Sequence, residues 1–181
     1  MQNCRRYKYI LLLTGILVTL FVSAQTNWKP VSTTIGFEIK NAGITVKRNI
    51  NGFSGLIVFD ENALATSYLK ASVSVASLET GNHMRDEHLQ NANYFNTAIF
   101  PKIEITSKKL YRKENAFEGL FDITIKGRTK EVAIPFTVAI NGTDAVFAGA
   151  FAINRRDFDV GGNSLILGDN VTISTIVNAK K

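Results

Sequence analysis

The sequence predicts an all-β fold of about eight antiparallel strands, with a short helical insertion around residues 79–97. Three observations carry this. Apolar and polar residues alternate with a period of two in one segment after another, the pattern of strands buried on one face. Short turn signals separate most of these segments, among them Asn51-Gly52, Lys126-Gly127-Arg128-Thr129 and Asn141-Gly142. One long polar stretch, Ser77 to Pro101, interrupts the alternation and holds both histidines of the chain, His83 and His88.

Taken in order, Ile35, Phe37 and Ile39 alternate with Gly36, Glu38 and Lys40. Asn51-Gly52 predicts a hairpin that leads into a strand over 55–59. Leu69, Ala71, Val73 and Val75 alternate with Lys70, Ser72 and Ser74. Beyond the polar stretch, Ile103 and Ile105 alternate with Glu104 and Thr106, and Phe121, Ile123 and Ile125 with Asp122, Thr124 and Lys126. A strand over 132–140 follows, then one over 145–153 that is apolar on both faces. Val171, Ile173, Thr175 and Val177 close the pattern. Within the polar stretch, Glu79, His83 and Glu87 lie four apart, as do Met84 and His88, and Arg85 and Leu89. That spacing predicts one or two short helices, limited by Gly81 and the Asn-rich tail.

Two architectures satisfy this pattern, a sandwich and a closed barrel. The strand over 145–153 bears on the choice. Ala148, Ala150 and Ala152 share one face, and Phe147, Gly149, Phe151 and Ile153 the other. If the alanine face points inward it leaves room for a ligand, since an eight-stranded barrel can be either filled or hollow. If it points outward, the alanines pack beneath a neighbouring element.

Composition bounds the function classes. Arg5, Arg6 and Lys8 precede an apolar run from Ile10 to Val22, and small residues follow at Val22-Ser23-Ala24. This reads as a signal peptide over residues 1–24, too short for a comfortable membrane span. It leaves residues 25–181 as one domain, secreted across the inner membrane into the periplasm. The single cysteine, Cys4, lies ahead of the apolar run, so no disulfide or thiolate metal site is available after cleavage. The net charge of +6 falls to +3 without Arg5, Arg6 and Lys8, with no block of like charge, which gives nucleic-acid binding little support.

Catalytic patterns are weak. A metal site could draw on Glu79, His83, Asp86, Glu87 and His88, and with it a metal-dependent hydrolase. However, His83 and His88 are five apart and face different sides of one helix, and H-E-x-x-H is absent. No G-x-S-x-G or cysteine nucleophile is present. Asp157 is expected to pair with Arg155 or Arg156. The reading is non-enzymatic, with no cofactor.

The residues also resemble a family. Ser77-Leu78-Glu79-Thr80-Gly81-Asn82, Arg85-Asp86-Glu87-His88-Leu89, Tyr94-Phe95 and Phe100-Pro101-Lys102-Ile103 resemble the signature of the YceI-like family. Phe53-Ser54-Gly55, Phe59-Asp60, the run from Gly119 to Gly127, Ile153-Asn154-Arg155-Arg156-Asp157-Phe158 and Leu167-Gly168-Asp169-Asn170-Val171 fit it in order. Lys29-Pro30-Val31-Ser32, Asn41 and Lys47-Arg48-Asn49-Ile50 depart from it. The resemblance implies a lipocalin-like barrel that binds polyisoprenoid or isoprenoid-quinone-like lipid, with transient membrane contact. It leaves the oligomeric state open, a homodimer included. The implied cavity lining is Phe37, Ile39, Val73, Phe121, Ile123, Phe136, Val138, Ala148 and Ala150. Arg85, Asp86, His88, Asn154 and Arg155 would stand at the mouth or in a lid, with Arg85, Asp86 and His88 tying the insertion to the barrel. A solid-core interaction module is the remaining alternative.

Overall fold

The computed structural model describes residues 25–181. The expected signal peptide lies outside the described residues. The strands are β1 (Asn27–Asn41), β2 (Ile44–Ile50), β3 (Ser54–Val58), β4 (Tyr68–Ser74), β5 (Lys102–Lys113), β6 (Ala116–Ile125), β7 (Arg128–Asn141), β8 (Asp144–Asn154) and β9 (Leu167–Lys180). Among the described residues one α-helix, α1 (His83–Gln90), lies between β4 and β5, and short 3-10 turns cover Val75–Ser77 and Arg155–Phe158.

Neighbouring strands run antiparallel from β3 through β9, and β1 closes the ring. Its long face pairs with β9 from Lys29–Lys180 to Asn41–Leu167. Its first residues pair with β3 at Asn27–Val58 and Trp28–Ile57. The result is a closed eight-stranded antiparallel barrel, with the closure between β1 and β3 limited to two residue pairs. The strand β2 is an addition that pairs with the second half of β1, from Ile35–Ile50 to Asn41–Ile44.

That extra strand changes one expectation. Asn51-Gly52 is not a hairpin between paired strands: β2 and β3 both lie against β1, and residues 51–53 simply carry the chain from one to the other. The hairpin is one turn earlier, at Ala42 and Gly43, both with positive φ. Alternation in β2 runs through Ile44, Val46 and Ile50, but Arg48 occupies the position where a further apolar residue would complete it.

The inward faces follow the period of two. In β6 the buried positions are Phe117, Gly119, Phe121, Ile123 and Ile125. In β8 the buried or half-buried inward set is Ala145, Phe147, Gly149, Phe151 and Ile153, so the three-alanine face points outward. Register explains it: Phe147 stands opposite Val138 and Val177, both on the inner face, whereas Ala148 stands opposite exposed Thr137 and Ile176.

The two ends of the barrel differ. At the end where β1 begins, Phe59 is buried beneath an edge-on cluster, with ring centroids 5.1 Å from Phe117, 5.6 Å from Phe147 and 6.2 Å from Phe136. Such geometry adds about 0.5–1.5 kcal/mol per pair beyond area burial. These rings form a floor. The opposite end is covered by the insertion of residues 75–101 and the connection of residues 155–166. Gly161 N–H donates to the Asn93 carbonyl at 2.9 Å and joins the two covers. The β6–β7 turn fits beneath them because Gly127 (φ +71°) has no side chain: a Cβ there would sit 2.7 Å from the Phe100 ring.

Candidate functional site: an apolar cavity under a latched cover

Between floor and cover the barrel encloses a cavity of about 340 Å³. Its wall is aliphatic and aromatic: Ile35, Phe37 and Ile39 from β1, Leu69 and Val73 from β4, Ile103 and Ile105 from β5, Phe121 and Ile123 from β6, Phe151 and Ile153 from β8. Leu78, Leu89, Tyr94 and Phe95 of the insertion form its ceiling. The strands supply alternate residues to this wall, so a run of ordinary half-buried strands generates a continuous apolar lining. The interior is therefore not solidly packed.

Of the expected lining residues, Phe37, Ile39, Val73, Phe121, Ile123 and Phe136 border the cavity. Val138 packs into the hydrophobic core beside it. Ala148 touches the cavity from an outward-facing strand position, and Ala150 is exposed to solvent outside the barrel. The correction at Ala150 has a simple cause: a strand that is apolar on both faces does not reveal which face is inner, and Phe147 and Phe151 take the interior.

The insertion is held by Thr80, which is 3% exposed. Its N–H and its hydroxyl donate to the Asp86 carboxylate at 2.8 and 2.5 Å. Arg85 donates through Nε to the Thr80 hydroxyl and through Nη2 to the Thr80 carbonyl, both at 2.7 Å. The hydroxyl of Thr80, foremost, holds the Asp86 carboxyl below its ordinary range, helped by the Thr80 N–H and by the charge of Arg85; partial burial opposes them. Arg85 and Asp86 thus fold the insertion onto itself rather than tying it to the barrel. The tie comes from Arg48 on β2, whose Nε donates to the Thr80 carbonyl at 2.8 Å, and from the bridge between Ile50 and Leu78.

His88 does not bond to the barrel either. Its ring stands edge-on to Tyr94 at 5.0 Å and borders a separate polar recess with Asn93, Lys126 and Asp159. Tyr94 is the wall shared by recess and cavity. His83 is exposed, with Nδ1 3.6 Å from the Glu87 carboxylate. The two histidines do not converge, and among the described residues no three His, Cys, Asp or Glu side chains gather as a metal site would require.

At the other side of the cover, Arg155 is buried and borders the cavity. Its Nε donates to the Gly168 carbonyl at 3.0 Å, Nη1 to Val160 and Gly162 at 2.8 Å, and Nη2 to Leu167 at 3.1 Å and the Asp169 carboxylate at 2.9 Å. Arg156 reaches the same carboxylate at 2.7 Å. Both arginines pair with Asp169, fourteen and thirteen residues on, and not with Asp157 as expected. Asn154 accepts the Arg156 N–H at 2.9 Å and caps the turn that aims Arg155 inward. Thr80 and Asp169 lie in segments that resemble the family signature, and Arg48 in one that departs from it, but nothing in the sequence names their partners across the fold. The bonds Arg48–Thr80 and Arg155–Asp169 span 32 and 14 residues.

The fold and the cavity define a class: a closed β-barrel with one plugged end and an apolar interior roofed by an insertion. The chain belongs to the YceI-like domain family, whose model matches residues 27–179. It is 30% identical over 132 residues, 69% of each chain, to the UPF0312 protein plu2095 of Photorhabdus laumondii. Among solved structures it resembles Burkholderia cenocepacia BcnA, with a TM-score of 0.78, 25% identity and coverage of 82% of this chain and 96% of that one. A polyisoprenoid binding domain from Saccharophagus degradans, implicated in plant cell wall breakdown, shares the fold with a TM-score of 0.66 at 10% identity, covering 85% and 97%.

Proposed function

We propose that this protein binds and carries a long-chain lipid, a polyisoprenoid or an isoprenoid-quinone-like molecule, inside the barrel and performs no chemistry on it. The observation that carries this reading is the lining: aliphatic and aromatic side chains make up most of the wall up to the Leu89–Phe95 ceiling, and of the polar residues that border it Thr80, Arg85 and Arg155 belong to the cover. A polyprenyl tail has no hydrogen bonds to satisfy, so a dry apolar space suffices. Each CH₂ it buries contributes about 0.8 kcal/mol of transfer free energy. The cavity's 340 Å³ falls in the range of roughly 300–1,000 Å³ usual for small-molecule sites. The polyisoprenoid named for the Saccharophagus degradans domain, a neighbour in fold, supports the same class of cargo.

Loading would occur by transient contact with a membrane in the periplasm. The covered end supports this contact, since Ile44, Leu165 and Ile166 are exposed there and the Ala42 N–H bonds the Ile166 carbonyl at 2.7 Å, placing them side by side. The periplasmic location rests on the N-terminal sequence pattern alone. Titration of the purified protein with a polyprenol tests the proposal. Saturable uptake near one molecule per barrel supports it, and absence of uptake for polyprenol and isoprenoid quinone alike rejects it.

A further inference from the structure

The lipid-carrier reading leaves the polar end of the cargo unspecified, and two arginines of this chain bear on it. Arg48 stands between Val46 and Ile50 on β2, and alternation puts all three on one face. Val46 and Ile50 line the cavity, and Arg48 is the cross-strand partner of Phe37, which lines it too. Arg85 lines the cavity from α1. The two side chains converge from opposite sides on one acceptor, the Thr80 carbonyl, at 2.8 and 2.7 Å. Two guanidinium groups that share one carbonyl oxygen lie within a few ångströms of each other. Neither forms an ion pair with a carboxylate among the described residues. Asp86, the acidic group beside them, has its carboxylate bonded by the N–H and hydroxyl of Thr80. The cluster therefore carries more positive than negative charge, at the edge of an interior that is otherwise apolar.

The remaining donors are placed for a ligand. Arg48 uses Nε on Thr80 and Nη1 on the Lys47 carbonyl at 2.7 Å, which leaves Nη2 without a partner among the described residues. Arg85 uses Nε and Nη2, which leaves Nη1. Gly81, next in the chain, keeps this space open: a Cβ there would lie 3.3 Å from Arg48 Nη2. Guanidinium groups bind carboxylate and phosphate oxygens through directed, charge-assisted bonds, and like charges held together are relieved by an anion between them. Arg48 is exposed and Arg85 half-buried, so a headgroup held here stays at the water boundary while its tail enters the barrel.

We propose that Arg48 and Arg85 form a receptor for an anionic headgroup, a phosphate or carboxylate on a long apolar tail, at the seam between β2 and the insertion. This rests on the lipid-carrier reading and narrows it: the cargo is an anionic amphiphile rather than a neutral one.

The test compares ligands with one tail and three heads: geranylgeranyl phosphate, geranylgeranoic acid and geranylgeraniol. Dissociation constants are measured for the purified protein near neutral pH. At least one anionic ligand is expected to bind about tenfold or more tightly than the alcohol, the effect of one good charge-assisted contact. The ratio of phosphate to acid affinity tells which anion is preferred. The anion-to-alcohol ratio is expected to shrink with added salt and to collapse towards one in Arg48→Gln, a change that leaves the Arg85–Thr80–Asp86 bonds in place. Arg48→Lys retains part of it. Equal affinity for all three heads overturns the headgroup proposal and leaves the lipid carrier standing, as does a preference unchanged in Arg48→Gln. No binding of any of the three overturns both.

Discussion

The indole N–H of Trp28 donates to the carbonyl oxygen of Phe59 at 2.9 Å, between residues 31 apart in the chain. It does so at the place where the barrel closes most narrowly, for β1 and β3 share the two pairs Asn27–Val58 and Trp28–Ile57. The same bond fixes the backbone of the residue whose ring plugs the floor. Replacing Phe59 with Ala removes a fully buried ring from the Phe117, Phe136 and Phe147 cluster, and a cost of about 3–5 kcal/mol is expected in urea unfolding. Trp28→Phe keeps most of the volume but strands a buried carbonyl, at about 1–3 kcal/mol. A floor held only by generic packing would lose much less in the second variant.

The Asp86 carboxyl gives the cover a pH dependence. Its folded-state value lies below the ordinary 3.8, first because of the Thr80 hydroxyl. A group whose acidity is strengthened by folding contributes stability above its unfolded value and loses it as pH falls through the folded one. The contribution is therefore complete at neutral pH and fades in acid, below about pH 4. Asp86→Asn is expected to flatten that part of the profile of melting temperature against pH. An unchanged acid limb in the variant would mean that Thr80 gains nothing from the charge.

Arg155 is the second anchor of the cover. Its removal leaves the carbonyls of Val160, Gly162, Leu167 and Gly168 without their donor, and Arg155→Met is expected to cost about 3 kcal/mol or more, since each buried acceptor left unpaired costs about 1–3 kcal/mol. Amide exchange should accelerate first in residues 159–168. Arg156→Ala, at the surface, should change stability by about 1 kcal/mol or less. Equal effects of the two would contradict the assignment.

Fold class was legible because alternation is a local signal, and most of the eight barrel strands carry it, β8 with its two apolar faces being an exception. The ninth was not, since Arg48 breaks the alternation of β2, and that same residue serves the seam instead of the core. The helix was legible from four-residue spacing across Glu79, His83 and Glu87, although Glu79 falls outside α1 and Asn82 caps it. Half of the site was legible too, as alternation identifies the buried face of Phe37, Val73 or Ile123. It failed at Ala150, where both faces are apolar and the choice is made by cross-strand partners far away in sequence. The bond from Arg48 to Thr80, 32 residues apart, and the pairing of Arg155 with Asp169, 14 apart, were hidden for the same reason: each depends on which chain segments meet, and no spacing within a segment encodes that.

The orientation of β8 has a direct consequence. Val73→Trp places a large ring in the cavity, whereas Ala150→Trp places it outside the barrel. Overpacking costs about 1–3 kcal/mol, so both variants should remain folded. Lipid uptake should fall sharply in the first and match the unaltered protein in the second. The reverse pattern would mean that the alanine face is the inner one.

If the barrel interior is a lipid site, the protein purified without detergent from its own cells carries its cargo with it. Extraction with organic solvent followed by mass spectrometry should release a long-chain isoprenoid lipid, near one per barrel, absent from the extract of Val73→Trp. An extract free of such lipid, from a protein that then also fails to take up polyprenol or isoprenoid quinone, would contradict the lipid site.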